Sequence, residues 1–244
     1  MKSYTTKNDW TAYFYDSKPK HIETVVFSDI FQKYLKPDDS KTVLEIGCAG
    51  GDFLCYIVKK FKYQAYGVDY SDEIIKTQEL FRFNGLFDPV LYKEDFFQWN
   101  PELKFDLVCS FGFIEHFDDI REIIKKHVDL TKSGGKIIIS LPHFAHAQYL
   151  LHYSIDRENL KKHNLKIMNL RALSDACKDL PIKIDYLSYY KTFGFWTERN
   201  DMARWEKIVN WGIIKFGKML TKIFGYDRPN LLFSPHIICV ATKT

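Results

Sequence analysis

The sequence lacks any hydrophobic run long enough to cross a membrane. A bilayer span needs about 20 consecutive apolar residues, whereas the apolar runs of this chain have the length of single strands. The opening segment, MKSYTTKNDW, contains no hydrophobic stretch of the signal-peptide type. These absences predict a protein that stays in the cytoplasm and has no integral membrane span.

Cysteine is scarce, and its spacing forms no Cys-x-x-Cys motif. An odd number of cysteines in a cytoplasmic chain indicates buried reduced thiols, not disulfides or a zinc site. No group of His, Cys and carboxylate residues has the spacing of metal ligands, so we expect no metal. The five cysteines are Cys48, Cys55, Cys109, Cys177 and Cys239.

Clusters of positive charge are also missing. The net charge is only +4, lysine far outnumbers arginine, and the basic residues are scattered. Proteins that bind DNA or RNA usually concentrate Lys and Arg on one face, so we expect no nucleic-acid partner. What the chain does contain is 244 residues with 46% hydrophobic content, which is enough for one good-sized core.

Strand-like and helix-like segments alternate from residue 41 onward. Strands with few polar residues between amphipathic helices predict a parallel sheet covered on both faces, and right-handed crossovers make it a doubly wound α/β fold. The predicted strands are 42–46, 64–69, 89–93, 105–110 and 135–141, and the predicted helices are 52–61, 72–81 and 118–130.

Two regions flank this alternation within a single predicted domain, 1–244. Residues 1–40 form a helical cap, 41–145 the alternating core, and 146–244 an insertion with a terminal strand pair that could lie antiparallel at the sheet edge. The flanking elements are predicted as helices at 21–35, 165–179 and 200–224 and strands at 182–190 and 236–242.

A glycine-rich loop, residues 45–51, follows the first strand and leads directly into a helix. Glycine permits a tight turn close to a ligand, and the helix start adds oriented N–H groups. A dinucleotide fingerprint would need Gly-x-Gly-x-x-Gly, but Ala49 and Asp52 occupy the second and third glycine positions. Because Asp52 would also repel a pyrophosphate, the loop favours a cofactor without phosphates and disfavours a nicotinamide enzyme.

Polar and aromatic residues end the next strands. Asp69 ends the second strand, about 20 residues past the loop, where an acid accepts hydrogen bonds from both ribose hydroxyls. Asp95 and Phe96 follow the third strand and could hold an adenine amino group and cover a ring face. Ser110 and Phe111 end the fourth strand at the carboxyl edge of the sheet, where ligands bind in such folds.

Five segments together resemble, in order and spacing, the motifs of class I S-adenosylmethionine-dependent methyltransferases. The resemblance covers residues 41–145 and, less specifically, the terminal strand pair. It implies a Rossmann-like seven-stranded sheet, mostly parallel with a reversed last strand, and S-adenosyl-L-methionine as the cofactor. The segments are EIGCAGG (45–51), VDYS (68–71), EDF (94–96), FDLVCS with EHF (105–117) and SGGKIIISLP (133–142).

The resemblance also implies roles for individual residues. Gly47 and Gly51 contact the methionine part of the cofactor, and Glu45 lies near its amino group. Asp69 binds the ribose, Tyr70 and Phe96 cover the adenine faces, and Asp95 takes the adenine amino group. Ala49 stands where many members have Gly, and it is small enough to keep binding. The predicted cofactor site is Glu45, Gly47, Cys48, Gly51, Asp69, Tyr70, Asp95, Phe96, Ser110 and Phe111.

Methyl transfer from a sulfonium requires a positioned nucleophile and, for a hydroxyl acceptor, removal of its proton. Candidate bases are His116, after the fourth strand, and His143 and His146, after the fifth, because a neutral imidazole titrating near pH ~6.5 suits the task. The alternative for His116 is that the Glu115-His116 pair only shapes the pocket wall.

The acceptor is predicted to be a small molecule. The segment 110–113 lacks the Pro-Pro-aromatic pattern typical of amino methylation on nucleobases, and no cysteine follows a proline as C5 methylation of cytosine would need. The segment DRENLKKHN (156–164) resembles small bacterial methyltransferases of surface-polysaccharide pathways. This implies O-methylation of a sugar or of an activated phosphorus-containing precursor. The alternatives are N-methylation of a small amine and a non-catalytic cofactor-binding partner subunit.

Basic residues of the C-terminal region have two interpretations: they could meet an anionic group on the acceptor, or form a solvated face. The helix within 205–224 carries an apolar stripe with lysines elsewhere. Such a helix can lie on a membrane surface, but we favour packing on the sheet or on a dimer partner, which leaves a homodimer possible. The basic residues are Lys191, Arg199, Arg204 and Arg228.

Overall fold

Seven strands form one sheet in the computed structural model, which describes residues 1–197, 202–225 and 228–244. The strand order is β3-β2-β1-β4-β5-β7-β6, and β7 is antiparallel to both of its neighbours. The α/β class, with a mostly parallel sheet and a reversed last strand, is therefore confirmed. The strands are β1 (Thr42–Ile46), β2 (Gln64–Val68), β3 (Val90–Tyr92), β4 (Phe105–Phe111), β5 (Thr131–Pro142), β6 (Ile182–Tyr190) and β7 (His236–Lys243).

Helices cover both faces of this sheet. Successive strand residues point to opposite faces, so Val43 of β1 joins the core under α3 while Leu44 joins the core under α5. Across the described ranges, no helix is long and apolar enough to cross a membrane. The helices are α1 (Lys7–Phe14), α2 (Ser28–Tyr34), α3 (Asp52–Phe61), α4 (Ile75–Phe83), α5 (Ile120–Leu130), α6 (His146–Ile155), α7 (Arg157–Lys161), α8 (Leu170–Cys177) and α9 (Arg204–Phe224).

The N-terminal region departs from the predicted single helix at 21–35. Phe27 adopts a left-handed backbone conformation with φ of 70°, and its N–H donates to the Tyr190 hydroxyl at 3.2 Å. Because a non-glycine residue in this conformation interrupts a helix, α2 begins only at Ser28. A helix that was not predicted, α1, begins at a capping box between Thr6 and Asp9.

The C-terminal insertion also differs from prediction. The helix predicted at 165–179 begins at Leu170, where the Asn169 side chain accepts a hydrogen bond from the Ala172 N–H at 2.8 Å, and α6 and α7 were not predicted. The predicted start of the last helix, together with Arg199, falls outside the described residues. Most of the predicted apolar stripe of α9 faces solvent, although Leu220 is buried. Packing of the stripe on the sheet is therefore wrong for its exposed residues, and packing on a dimer partner stays a prediction.

Candidate functional site

A cavity of about 800 Å³ lies at the carboxyl ends of the parallel strands. The crossovers of a doubly wound sheet leave a crevice at this edge, and here the N-terminal segment around α1 forms its other wall. The cavity collects most of the predicted site residues, although Cys48, Ser110, His143 and His146 do not line it. Those that line it are Glu45, Gly47, Gly51, Asp69, Tyr70, Asp95, Phe96, Phe111 and His116.

The loop between β1 and α3 turns through three glycines with positive φ, at 73° for Gly47, 86° for Gly50 and 71° for Gly51. Side chains are excluded at these positions by space as well as by backbone conformation. A Cβ on Gly47 would lie 2.8 Å from the Phe113 ring, and one on Gly51 would lie 2.6 Å from Cγ2 of Thr77. The loop therefore presents bare backbone to the cavity, as a closely bound ligand requires.

Asp69 follows β2 and is fixed by the neighbouring loops. Its Oδ2 accepts from the Ala49 N–H at 3.1 Å, and its Oδ1 accepts from the Ser71 N–H at 2.8 Å. Burial raises the pKa of Asp69, although these two backbone bonds oppose the shift. Each carboxylate oxygen keeps a second lone pair, so the group can still accept hydrogen bonds from a ligand diol.

Glu45 is the most strongly perturbed acid of the cavity wall. Its Oε2 accepts from the Leu54 N–H at 2.9 Å, and its side chain is almost completely buried. Burial, the largest cause, raises the pKa of Glu45 to about 8, and the negative charges of Asp52 and Asp69 add to the effect. Among the described residues no cation contributes to the pKa of Glu45, so this buried acid is an electrostatic match for a positively charged ligand group.

The far end of the cavity, past β3, is aromatic and acidic. Phe96 is buried and lies edge-on to Phe113, with ring centroids 5.6 Å apart. Asp95 is exposed and its Oδ1 accepts from the Phe97 N–H at 2.9 Å. Tyr70 is half-buried, and its pKa is raised to about 12, mainly by burial. An aromatic ring beside a carboxylate suits a flat heterocycle with an exocyclic amine.

Two residues predicted for the cofactor site lie in the core behind the cavity wall and do not line the cavity. Cys48 is fully buried, and its Sγ would lie 2.5 Å from a Cβ on Gly67. Ser110 is fully buried as well, and its Oγ lies 3.0 Å from Nε2 of His127. The His127 Nδ1 faces the Ile123 carbonyl at 2.8 Å, so Nδ1 donates and the Ser110 hydroxyl donates to Nε2.

The three candidate bases occupy different places. His116 lines the cavity. His143 is fully buried, with Nδ1 at 2.9 Å from the Ser234 carbonyl and its ring centroid 4.7 Å from that of Tyr189. His146 is exposed at the start of α6. The strand order brings only His116 of the three to the cavity wall, and whether it acts as a base stays a prediction.

His163 is a cavity residue that the sequence did not single out. It lies 47 to 48 residues beyond the Glu115-His116 pair, yet its ring centroid is 4.6 Å from that of His116. One donor atom each of Glu115, His116 and His163 lies within 4.8 Å of the others, so this group could hold a metal ion. The sequence offered no signal, because the approach depends on how the insertion after α6 folds back.

The N-terminal segment closes the cavity through contacts with the residues that follow β4 and β2. The Tyr4 N–H donates to the His116 carbonyl at 2.8 Å, and the Trp10 ring lies edge-on to His116 at 4.8 Å. The Lys7 ammonium pairs with Asp72 at 3.0 Å. The segment therefore shields the cavity from solvent and adds an aromatic wall.

The family model of the methyltransferase domain matches residues 20–181. Among curated relatives, ajmaline N-methyltransferase of Rauvolfia serpentina is 33% identical over 110 residues, which is 42% of this chain and 38% of the relative. The probable chloroplastic tocopherol O-methyltransferase of Oryza sativa subsp. japonica is 31% identical over 110 residues, which is 42% of this chain and 30% of the relative. The matches thus span well under half the length of these two relatives.

Solved structures show the same fold at low identity. A SAM-dependent methyltransferase from Archaeoglobus fulgidus aligns over 98% of this chain and 95% of its own, with a TM-score of 0.56 and 20% identity. Geranyl diphosphate C-methyltransferase from Streptomyces coelicolor A3(2), solved with Mg²⁺, geranyl diphosphate and S-adenosyl-L-homocysteine, aligns over 88% of this chain and 78% of its own, with a TM-score of 0.59 and 12% identity.

The chain therefore belongs to the methyltransferase domain family. The cavity fits the predicted cofactor, S-adenosyl-L-methionine. The glycine loop leaves room for its amino-acid part, the buried Glu45 carboxyl matches a cation, and Asp69 can accept from a ribose diol. The acceptor does not follow from these matches.

Proposed function

We propose that this protein transfers the methyl group of S-adenosyl-L-methionine to a hydroxyl of a small molecule in the cytoplasm. The observation that carries the proposal is the end of the cavity beyond the glycine loop. There a neutral imidazole, His116, and a buried carboxyl group, Glu115, lie among the aromatic side chains of Trp10, Phe144 and Trp196. Such walls exclude water around these two polar groups, as transfer to a hydroxyl requires.

His116 has the protonation state of a base. Its Nδ1 lies 2.8 Å from the Lys162 carbonyl, which can only accept, so with the hydrogen on Nδ1 the lone pair is on Nε2. The backbone of Gly112 also hydrogen-bonds the ring. Burial lowers the pKa of His116 to about 4, and the ring is neutral at pH 7. The Glu115 carboxyl, with Oε1 3.9 Å from Nε2, would stabilise the imidazolium formed on proton transfer.

The reaction requires little else of the protein. The cofactor supplies a methyl group already activated on a sulfonium. As the acceptor oxygen bonds to the methyl carbon and the carbon–sulfur bond breaks, the hydroxyl proton passes to Nε2 of His116. The cavity residues hold the acceptor in line, and this positioning supplies much of the acceleration.

A sugar hydroxyl of a surface-polysaccharide precursor is the narrower form of the proposal. Two observations support it. Residues 156–164, which include His163 of the cavity lining, resemble methyltransferases of surface-polysaccharide pathways, and the cavity has aromatic walls on which sugar faces stack. Lys191, Arg204 and Arg228 do not line the cavity, whereas four lysines of other segments do: Lys7, Lys18, Lys20 and Lys76. An anionic group on the acceptor would therefore meet these lysines and not the basic residues of the C-terminal region.

N-methylation of a small amine is the second candidate. The nearly inaccessible Glu115 carboxyl at the acceptor end would pair with a cationic amine, and a curated relative is named an N-methyltransferase. An amine loses its proton before it attacks, and its product retains the positive charge, so this reaction would depend on Glu115 more than on His116.

The test is methyl transfer from labelled cofactor to a panel of sugars, sugar phosphates, phenols and amines, with and without chelator. With the best hydroxyl acceptor, we expect His116→Ala to lower turnover by about 10²–10⁴-fold, while cofactor affinity and circular dichroism stay unchanged. The matched control is His143→Ala, a histidine outside the cavity. If His116→Ala keeps more than a tenth of the turnover at saturating acceptor, or if only amines are methylated, O-methylation with a His116 base is wrong.

A further inference from the structure

Helix α9 carries two exposed stripes of opposite character along its whole length. On one stripe, residues spaced by three or four positions are apolar and face solvent, with Ile208 63% and Ile223 62% exposed. The adjacent stripe is basic, and its residues are exposed too. The apolar stripe comprises Trp205, Ile208, Val209, Phe216, Met219 and Ile223, and the basic stripe comprises Arg204, Lys207, Lys215, Lys218 and Lys222.

The orientation of α9 is fixed by its third face. Gly217 and Leu220 are buried there, and a Cβ on Gly217 would lie 2.0 Å from the Phe193 ring. Because the backbone of α9 sits directly on Phe193 at this point, the helix cannot rotate to hide its apolar stripe without losing this contact. The contact with Phe193 therefore keeps the apolar stripe exposed in this fold.

The apolar surface continues beyond α9. A groove of about 450 Å³ between α9 and α6 is lined by apolar side chains and Gly212, and Leu150 of α6 is 64% exposed beside it. Leu231 and Leu232, which follow α9, are exposed as well. Contiguous apolar surface of this kind marks an interaction site.

We propose that this face docks on the surface of an anionic lipid bilayer, with α9 lying in the plane of the interface. The apolar stripe would enter the boundary between headgroups and acyl chains, and the lysines beside it would meet the anionic headgroups. Trp205 and Trp211 suit this depth, because indole has an apolar body and one polar N–H group.

The basic stripe argues against a second copy of the chain as the occupant. A symmetric dimer places the same patch of both copies face to face, which would bring the lysines of two α9 helices together, and juxtaposed like charges oppose association. An anionic surface removes this repulsion. The positive charge of the basic stripe therefore favours an anionic bilayer over a second copy of the chain as the partner of this face.

Gly212 provides a matched pair of variants, because it lies within the apolar stripe and a Cβ added there meets nothing within 4 Å. We expect wild type to co-sediment with vesicles of phosphatidylglycerol and phosphatidylcholine, and much less with phosphatidylcholine alone. Gly212→Ala should keep this binding, whereas Gly212→Glu, which places a carboxylate in the stripe, should weaken it at least tenfold. Circular dichroism and calorimetry with S-adenosyl-L-homocysteine report that both variants are folded, because α9 contributes no residue to the lining of the cavity.

The charge contribution is tested separately. Lys218→Gln with Lys222→Gln should weaken binding to anionic vesicles by about fivefold for each lysine, and added salt should reduce the difference. Lys60→Gln with Lys125→Gln, two exposed lysines on other helices, is the control and should bind as wild type does. Absence of binding to anionic vesicles, or equal binding by Gly212→Ala and Gly212→Glu, overturns the proposal. So does a dimer in light scattering that Gly212→Glu dissociates, because the face would then be a self-interface.

Discussion

At alkaline pH, Glu45→Gln should be more stable than wild type, although the substitution removes an acid of the predicted cofactor site. In the unfolded chain a glutamate ionises near pH 4.5, whereas the folded protein holds the proton on Glu45 up to about pH 8. For an acid with a raised pKa, the folded state binds the proton more tightly. The stability that Glu45 contributes is therefore highest below its pKa in the unfolded chain. It falls as the pH rises between the unfolded and folded pKa values and is constant above pH 8.

The size of the effect follows from the difference between the pKa values of Glu45 in the folded and unfolded states. The difference between about 8 and 4.5 corresponds to roughly 5 kcal/mol at 1.36 kcal/mol for each pH unit. Glu45 lines a cavity that solvent can enter, and screening there makes this figure an upper bound. Even half of it would be a large part of the 5–15 kcal/mol that holds a typical domain together. Gln keeps the shape and can still accept from the Leu54 N–H without ionising.

The assay is denaturant unfolding of wild type and Glu45→Gln between about pH 5 and pH 9. We expect the two proteins to be similar at the acid end and the variant to be more stable at the alkaline end. Calorimetry adds a second signal, because binding of a cationic cofactor should release a proton from Glu45 in wild type but not in the variant. Parallel stability curves, or equal proton release, would refute the electrostatic account of Glu45.

Three further outcomes are expected at the same site. Asp69→Ala should lower the affinity for S-adenosyl-L-methionine by about a hundredfold or more, because two charge-assisted hydrogen bonds of roughly 1.5–3 kcal/mol each are lost. If calorimetry shows a loss of affinity below threefold while circular dichroism is unchanged, Asp69 does not bind the ribose. Gly51→Ala should lower both melting temperature and cofactor affinity, since its Cβ would lie 2.6 Å from Thr77. Gly85→Ala, at a similar φ of 68° but with open space, isolates backbone strain and should cost about 1–2 kcal/mol of stability; equal losses in both variants would show that the contact with Thr77 is unimportant. Cofactor binding in chelator should match binding without it; a loss in chelator that a divalent ion restores would overturn this expectation and make the Glu115, His116 and His163 group the candidate metal site.

Much of the sheet could be predicted because local sequence carries its signal. The apolar run 42–46 and the periodic helix 52–61 coincide with β1 and α3, since burial on both faces and amphipathic periodicity depend only on neighbouring residues. The glycine loop and Asp69 were found for the same reason: a turn with positive φ and an acid at a strand end are local requirements. The parallel order then places the ends of β1 and β2 at one edge.

The tertiary structure alone decided which side chains reach the cavity. Cys48 and Ser110 sit within recognised motifs but point into the core, because adjacent residues of a loop or strand face opposite ways and the motif does not state which. His163 lies 47 residues after His116 in the sequence and still contacts it, and α1 closes the cavity through contacts between distant segments. Such contacts have no local periodicity from which they could be predicted.

The exposed stripe of α9 shows the same division. Its amphipathic pattern determined that a helix forms over 204–224, because spacing by three and four residues is a property of the sequence alone. Whether the apolar stripe would be buried or exposed depended on the contact of Gly217 with Phe193, which turns the stripe away from the body of the protein. A periodic pattern specifies that one face differs from another, and only packing against distant residues decides which face meets the core.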